Sequence, residues 1–306
     1  MTIESEFSLL TASLTPLDQN LNLDCDLLKA HIQGLLQCGA SGIVLFGTTG
    51  EGNSLSVSER KHGLEAILDG GISPNKLIVG TGCCALTDTV DLTQHALNAG
   101  VDRVLVLPPF YYKNVSNDGL FSVFDYLLQH LGHSKVKVYL YHFPQMCGVP
   151  ISIDLVQKLI VAYPDNICGF KDSSGDWGSI SAMIQGFPQL QVFAGSEEFL
   201  LDTLRLGGAG CISATTNVTL PLAVELLSNF KTSGANDLQR HLSQLRHSIE
   251  QWPMIAALKV LMQHLKGEDQ WENIRPPLSV LSSQDAQACI QSYETAAHQA
   301  MMNLTQ

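Results

Sequence analysis

The sequence has little positive charge. Its 306 residues include 17 Lys and Arg against 29 Asp and Glu, which gives a formal net charge of −12. Nucleic acids and anionic membrane surfaces are bound through clusters of basic side chains. The charge balance therefore argues against both kinds of partner.

Several sequence signatures are also missing. No apolar run is long enough to cross a membrane, and the first residues lack the basic and apolar blocks of a signal peptide, so we expect a cytoplasmic protein. The eight cysteines form no C-x-x-C pair and indicate free thiols in a reducing compartment. There is no P-loop and no G-x-S-x-G motif, and the scattered histidines form no ligand cluster, so we expect no metal.

What the sequence does contain is a regular alternation of short apolar runs and helical patterns. This alternation predicts an α/β fold built from parallel βαβ units. Eight such units in about 220 residues match a closed (β/α)8 TIM barrel. An open doubly wound sheet is the alternative, but no G-x-G-x-x-G opens the first helix. The strands are predicted at Ser8–Thr11, Gly42–Phe46, Leu77–Thr81, Arg103–Leu107, Val136–Tyr141, Ile167–Lys171, Gln191–Gly195 and Gly210–Ala214.

After Ser233-Gly234 the strand signals stop. Helices are predicted there at Leu238–Trp252, Met254–Leu265 and Ser283–Met302. We therefore divide the chain into a catalytic barrel, residues 1–233, and a C-terminal helical extension, residues 234–306. The extension is expected to pack against the barrel or against a neighbouring subunit.

In such a barrel the chemistry lies at the carboxyl ends of the strands. The sixth strand ends in Lys171, and the apolar run before it would disfavour the charged form of the amine. A neutral amine can attack a ketone and form a Schiff base. By itself this stretch also fits a surface lysine that closes a strand. Lys137, by contrast, lies near the entry end of a strand, and Lys259 lies on a helix.

Other predicted strands end in polar groups. The second runs into Gly47–Gly52, where two threonine hydroxyls and exposed N–H groups suit an anion or simply form a turn. The fifth ends at Tyr141, a phenol that can exchange protons with a nearby amine or serve as a core tyrosine. Ser196, Glu197 and Glu198 follow the seventh and offer acceptors for hydroxyl groups, although Glu is also favourable at any helix start.

Together, these segments resemble the dihydrodipicolinate synthase/N-acetylneuraminate lyase family of pyruvate-dependent class I aldolases. The resemblance runs from Thr15 to Leu278, nearly the full length. It is carried by four motifs in family order, Gly47-Thr-Thr-Gly-Glu51, Tyr141-x-x-Pro144, Gly169-x-Lys171-Asp-Ser-Ser174 and Gly208-Ala-Gly-x-Ile-Ser213. It implies an enzyme without a cofactor that acts on a small 2-oxo acid. It also implies a homo-oligomer, commonly a tetramer built as a dimer of dimers.

The resemblance implies catalytic roles for four side chains. Lys171 would form the Schiff base with the 2-oxo acid. Tyr141 would act as general acid and base, and Thr48 would relay protons. Tyr111 would match the family's relay tyrosine, which reaches into the site of a neighbouring subunit, although the adjacent Tyr112 is an alternative match.

The resemblance also implies contacts with the substrate. Thr49 would hold the carboxylate together with Thr48, and Ile212 would contact the substrate through its backbone carbonyl. The positions at which lyases of the family hold substrate hydroxyls are Ser173, Ser196, Glu197 and Glu198.

One position departs from the synthase branch of the family. That branch carries an arginine two residues after the proline of Tyr-x-x-Pro, where it pairs with the carboxylate of the aldehyde substrate. Here Met146 stands at that position. A thioether cannot replace a guanidinium, and an unpaired buried carboxylate is costly.

We therefore predict first an aldolase that reversibly cleaves a 2-oxo-3-deoxy sugar acid to pyruvate and an aldehyde. A dehydratase acting on the same kind of acid comes next, because the same imine could expel a hydroxyl. A 4-hydroxy-tetrahydrodipicolinate synthase follows. The last alternative is a barrel that binds a 2-oxo acid without turning it over.

Overall fold

A computed structural model of the chain describes residues 9–132 and 135–304. Within these residues, eight parallel strands close into a barrel in chain order. The predicted TIM barrel is therefore confirmed. The prediction about a signal peptide, and the first residue of the predicted strand Ser8–Thr11, lie outside the described residues. The strands are β1 Leu9–Ala12, β2 Gly42–Leu45, β3 Leu77–Gly80, β4 Arg103–Val106, β5 Lys137–His142, β6 Ile167–Asp172, β7 Gln191–Ala194 and β8 Gly210–Ser213.

Most strand residues are apolar because both faces of the sheet are covered. Every residue of β1, β2, β3 and β8 is buried, as is typical of a parallel sheet with side chains inside the barrel and helices outside. β5 and β6 have six residues each, whereas β1 has four. β4 ends opposite Leu140, so the last two residues of β5, Tyr141 and His142, extend past it. This extension brings Tyr141 to the carboxyl end of the barrel.

Polar side chains mark where several helices begin. The Asp24 carboxylate accepts a hydrogen bond from Leu27 N at the start of α1, and Ser56 forms a reciprocal capping box with Glu59 at the start of α2. The helices are α1 Cys25–Gln37, α2 Val57–Asp69, α3 Leu86–Asn98, α4 Asn117–His130, α5 Pro144–Cys147, α6 Ile153–Ala162, α7 Trp177–Gly186, α8 Leu200–Arg205, α9 Thr216–Asn229, α10 Ala235–Ile249, α11 Met254–Lys266 and α12 Ser283–Leu304. Short 3₁₀ turns lie at Gly52–Ser54, Pro74–Lys76, Glu197–Phe199 and Asp269–Glu272.

The C-terminal helices differ slightly from the predicted ones. α10 ends at Ile249, before the predicted end at Trp252. The reason is Pro253, which disfavours helical geometry in the residue before it. α11 begins directly after this proline, as expected.

The C-terminal helical region packs against the barrel of its own chain. Leu258 and Leu261 on α11 form an apolar cluster with Trp271 and with Leu14, which follows β1. The domain boundary at residue 233 stays a prediction. In the described part of the chain, no helix combines the length and apolarity needed to cross a membrane.

Candidate active site

A cavity of about 720 Å³ lies at the carboxyl ends of the barrel strands. Loops after β2, β5, β6 and β7 form one part of its wall, and the C-terminal helical region forms the rest. This is the position at which TIM barrels place their chemistry. Its polar lining residues include Thr48, Thr49, Tyr141, Lys171, Asp172, Ser173, Ser196, Glu198, Arg246 and Glu250.

Lys171 is the next-to-last residue of β6, and its side chain reaches the cavity. Only 5% of the residue is exposed. Its direct neighbour across the sheet is Tyr141 of β5, so both side chains leave the sheet on the same side. The Nζ atom lies 4.3 Å from the centroid of the Tyr141 ring. The amine and the phenol are thus held together by strand register.

A hydroxyl from a different strand joins this pair. The Tyr141 hydroxyl lies 3.3 Å from Thr48 Oγ1, and either atom can be the donor. Thr48 and Thr49 follow β2 in a tight loop in which Gly52 N–H donates to Gly47 O over 3.0 Å. The phenol and the alcohol are within hydrogen-bond distance and can exchange a proton, and the amine lies over the phenol ring.

Asp172 holds the loop that follows the lysine. Its carboxylate accepts hydrogen bonds from Ser174 N–H over 2.8 Å and from the Ser179 hydroxyl over 2.6 Å. His142 is its neighbour across the sheet. Burial lowers the pKa of His142, while Asp172 opposes that shift. Ile151 N–H donates to His142 Nδ1, which places the proton of the neutral ring on Nε2. The role of Asp172 was missed from sequence.

The predicted hydroxyl-binding residues separate into two groups. Ser173, Ser196 and Glu198 line the cavity together with Lys171. Gly195 makes room for this arrangement, because a Cβ at that position would lie 2.1 Å from Ser173 Oγ. The Glu198 carboxylate lies 3.3 Å from His247 Nε2 on α10.

Glu197 does not reach the cavity, contrary to its predicted role. Its side chain is fully buried and accepts hydrogen bonds from the hydroxyls of Ser213, Thr215 and Thr219. Arg246 Nη1 lies 3.4 Å from its Oε2. A buried carboxylate with this many partners links β7, β8 and α10 and has no free oxygen for a substrate.

Ile212, Tyr111 and the alternative Tyr112 are not among the residues that line the cavity. Ile212 is fully buried in β8, and its contact with a substrate through the backbone carbonyl stays a prediction. Tyr111 and Tyr112 are 75% and 73% exposed and pack edge to face, with ring centroids 5.3 Å apart. Within one chain, neither tyrosine reaches the cavity. The relay role across subunits therefore stays a prediction.

The C-terminal wall of the cavity was missed from sequence. It includes Arg246 and Glu250 on α10, together with Met254, Ile255 and Leu278. Arg246 and Glu250 are spaced by four residues and form an ion pair of 3.1 Å, a pattern that normally indicates a solvent-exposed helix face. No local signal distinguishes such a pair from one that lines a cavity. Met146, at the position of the synthase arginine, lies at the cavity and is 62% exposed.

In residues 9–132 and 135–304, no three His, Cys, Asp or Glu side chains lie close enough to hold a metal ion. The groups in the cavity that can take part in covalent chemistry include the Lys171 amine.

The chain is similar to known proteins along nearly its whole length. The sequence matches the Dihydrodipicolinate synthetase family over residues 6–295. It is 35% identical over 290 residues to an uncharacterized DapA-like lyase of Chloroflexus aurantiacus, which covers 94% of this chain and 95% of that protein. Members of the matched family are pyruvate-dependent lyases or aldolases.

Solved structures show the same similarity. The dihydrodipicolinate synthase of Agrobacterium tumefaciens has 32% identity and a TM-score of 0.87, over 95% of this chain and 99% of that one. YagE, a prophage protein of E. coli K12 from the dihydrodipicolinic acid synthase family, was solved in complex with pyruvate. It has 26% identity and a TM-score of 0.87, over 96% of this chain and 98% of that one.

Proposed function

We propose that this chain, which belongs to the dihydrodipicolinate synthetase family, reversibly cleaves a 2-oxo-3-deoxy sugar acid to pyruvate and an aldehyde through a Schiff base. The single observation that carries the proposal is the contact between the Lys171 amine and Tyr141 inside the cavity, with Nζ 4.3 Å from the ring centroid. Pyruvate bound to the related YagE supports a 2-oxo acid as the ligand.

The proposed reaction begins at the C2 carbonyl of the substrate. The lone pair of Lys171 Nζ forms a bond to C2, the carbonyl oxygen takes up protons and leaves as water, and a protonated imine remains. Tyr141 is the proton carrier for these transfers, and Thr48 passes protons between Tyr141 and the cavity. Thr49 and Thr48 would hold the substrate carboxylate.

Cleavage then uses the protonated imine as an electron acceptor. Tyr141 removes the proton of the C4 hydroxyl, the C3–C4 bond breaks, and its electron pair moves toward the imine nitrogen. The products are an aldehyde and an enamine on Lys171. Protonation of the enamine at C3, followed by attack of water on C2, releases pyruvate and restores the amine. The imine accepts the electrons itself, so the proposed reaction needs no cofactor.

The identity of the second substrate half follows from the residue at position 146. Met146 carries no charge and is 62% exposed, so it offers no partner to an aldehyde with its own carboxylate. Ser173, Ser196 and Glu198 line the same cavity and can bind hydroxyl groups. A polyhydroxylated aldehyde therefore suits the cavity better than the aldehyde of a 4-hydroxy-tetrahydrodipicolinate synthase.

Trapping of the imine tests the proposal. Incubation with pyruvate and sodium borohydride should reduce the imine to a stable adduct, which peptide mapping should locate on Lys171. Lys171→Ala should lose the adduct and all turnover. Lys137→Ala is the matched control, because Lys137 lies at the entry end of β5 with a side chain 40% exposed, and it should keep both. Adducts scattered over surface lysines would refute the proposal.

A second variant tests the proton carrier. Tyr141→Phe keeps the ring but removes the hydroxyl, so kcat should fall by about 10²–10⁴. Pyruvate release from a panel of sugar acids measures this loss and also separates aldolase from dehydratase activity. An unchanged kcat would contradict the role of Tyr141.

We also propose that the chain works as a homo-oligomer, a dimer of dimers. The exposure of Tyr111 and Tyr112, at 75% and 73%, supports a partner surface there. Mass measurement of the native protein tests the assembly, and a purely monomeric active enzyme would exclude it.

A further inference from the structure

Besides Lys171, the cavity has a second group of charged side chains. Arg246 and Glu250 on α10 line it, together with Glu198. Arg246 Nε lies 3.1 Å from Glu250 Oε2, and its Nη1 lies 3.4 Å from Oε2 of the buried Glu197. The C-terminal helical region thus supplies part of the wall that a bound substrate would meet.

The positive charge of Arg246 is already balanced. Glu197 is fully buried and accepts hydrogen bonds from three hydroxyl groups, so its carboxylate stays next to the Arg246 guanidinium. Glu250 forms a second ion pair with the same guanidinium. The group comprises one guanidinium and three carboxylates, those of Glu197, Glu198 and Glu250, and His247 Nε2 lies 3.3 Å from Glu198 and 3.6 Å from Glu250. A carboxylate or phosphate on the aldehyde half of a substrate would be repelled by these carboxylates.

The same group is well suited to hydroxyl groups. Glu198 and Glu250 are partly exposed, at 38% and 37% of their side chains, so their oxygens can accept hydrogen bonds from a ligand. Arg246 Nη2 has no hydrogen-bond partner among the described residues, whereas its Nε and Nη1 are both engaged. One donor and several acceptors in one wall match a chain of neighbouring hydroxyls.

From this balance we infer that Arg246 and Glu250 determine specificity for an aldehyde half that is uncharged and polyhydroxylated, and that they exclude a carboxylated or phosphorylated one. The inference rests on the proposed aldolase function. In it, Glu250 and Glu198 accept hydrogen bonds from hydroxyl groups, and Arg246 donates one from Nη2. Glu197 acts as a positioning residue, since it holds Arg246 and does not line the cavity.

Matched aldehydes test this inference in the condensation direction. Glycolaldehyde and glyoxylate differ by a hydroxymethyl group in place of a carboxylate, and glyceraldehyde and glyceraldehyde 3-phosphate differ by a phosphate. With pyruvate as partner, kcat/KM for the neutral member of each pair should exceed that of the anionic member by at least about tenfold, the scale of one repulsion between nearby charges. Added salt should narrow this ratio, because the carboxylates are partly exposed.

The variant Glu250→Gln keeps the shape of the side chain and removes its charge. It should lower the neutral-to-anionic ratio by about tenfold, mainly by improving the anionic substrate. Glu198→Gln should act in the same direction and serves as a second variant if Glu250→Gln folds poorly. The matched control is Glu225→Gln, an exposed glutamate on α9 away from the cavity, which should leave the ratio unchanged.

Borohydride trapping with pyruvate on the same samples separates the two proposals. Failure to form an adduct on Lys171 would remove the proposed function itself. An adduct combined with equal or better use of the anionic aldehydes by the unmodified enzyme would overturn only the specificity inference. A ratio that stays constant in both glutamine variants would overturn it as well.

Discussion

Lys259 and Glu51 form a buried ion pair that connects the C-terminal helical region to the loop after β2. Lys259 Nζ lies 2.5 Å from Glu51 Oε1, and the two side chains are 1% and 2% exposed. Lys259 Nζ also donates to Asn273 O over 2.7 Å. Burial lowers the pKa of Lys259, while Glu51 opposes that shift. The variant Lys259→Met keeps most of the side-chain volume and removes the charge.

The expected loss of stability can be worked out from this geometry. Removing one partner of a buried pair costs about 3–5 kcal/mol, because the other charge stays buried without compensation. In the variant, the hydrogen bond that Glu51 would keep among the described residues comes from Arg275 N–H at 3.4 Å. The carboxylate could escape by taking up a proton, which costs an ordinary glutamate about 3.7 kcal/mol at pH 7. We therefore expect the free energy of unfolding to fall by about 3–4 kcal/mol at pH 7.

Proton uptake by Glu51 in the variant also predicts the sign of a pH effect. The folded variant would hold this proton more tightly than the unfolded chain, so its stability should decrease as pH rises. The difference in free energy of unfolding between the unmodified protein and the variant should therefore shrink by up to about 1.4 kcal/mol for each pH unit below 7. The double variant Glu51→Gln with Lys259→Met leaves no buried charge and should recover most of the loss. Gln has the same backbone preference as Glu at this residue, where φ is 52°.

Urea unfolding at fixed protein concentration, followed by the fluorescence of the three tryptophans, measures these differences. The matched control is Lys61→Met. Lys61 pairs with Asp91 at 2.7 Å on the surface, and its loss should cost no more than about 1 kcal/mol. If Lys259→Met lowered the free energy of unfolding no more than this control does, the buried pair would not have the expected role. The same would follow if the loss for Lys259→Met did not become smaller between pH 8 and pH 6.

Further substitutions probe the site and the loop contacts. Gly195→Ala should lower kcat/KM by about a hundredfold in the pyruvate-release assay, because its Cβ would lie 2.1 Å from Ser173 Oγ and 2.6 Å from Ser173 Cα. The control is Gly34→Ala on α1, where the new Cβ would have no atom within 4 Å apart from its own helix backbone and chain neighbours. It should leave activity unchanged and raise thermal stability slightly. If Gly34→Ala also lost activity, the loss in Gly195→Ala could not be assigned to the contact with Ser173. Arg275→Met should lose the stability gained from Glu59, whose pKa is lowered to about 2 chiefly by its hydrogen bond with Arg275. Because the pKa of Glu59 is depressed in the folded state, its contribution to stability is complete at pH values above about 4.5 and is lost as pH falls to about 2. The stability difference between this variant and the unmodified protein should therefore narrow over that range, down to the part that comes from the Arg275 hydrogen bonds to Leu21 O and Ser54 O. A stability difference that stayed the same size between pH 4.5 and pH 2 would contradict this assignment.

Much of the fold was predictable because its signals are local. Each strand is a short apolar run that the parallel barrel buries on both faces, and the observed strands agree with the predicted ones to within their end residues. The position of Lys171 at the carboxyl end of β6 follows from the same pattern, as does that of Tyr141 on β5. The carboxyl ends of parallel strands meet at one end of the barrel. The positions of Lys171 and Tyr141 at the ends of predicted strands were therefore enough to expect the two side chains in one cavity.

The sequence alone determined the barrel, the family resemblance and the residues at the strand ends, because strand length and side-chain alternation depend on immediate neighbours. Tertiary structure alone decided that Glu197 faces Arg246 rather than the cavity, and that Arg246 and Glu250 line the cavity. Those outcomes depend on how α10 packs against β7 and β8. Contacts between segments that are far apart in the chain do not change the hydrophobic periodicity of either segment, so the sequence gives no local signal for them.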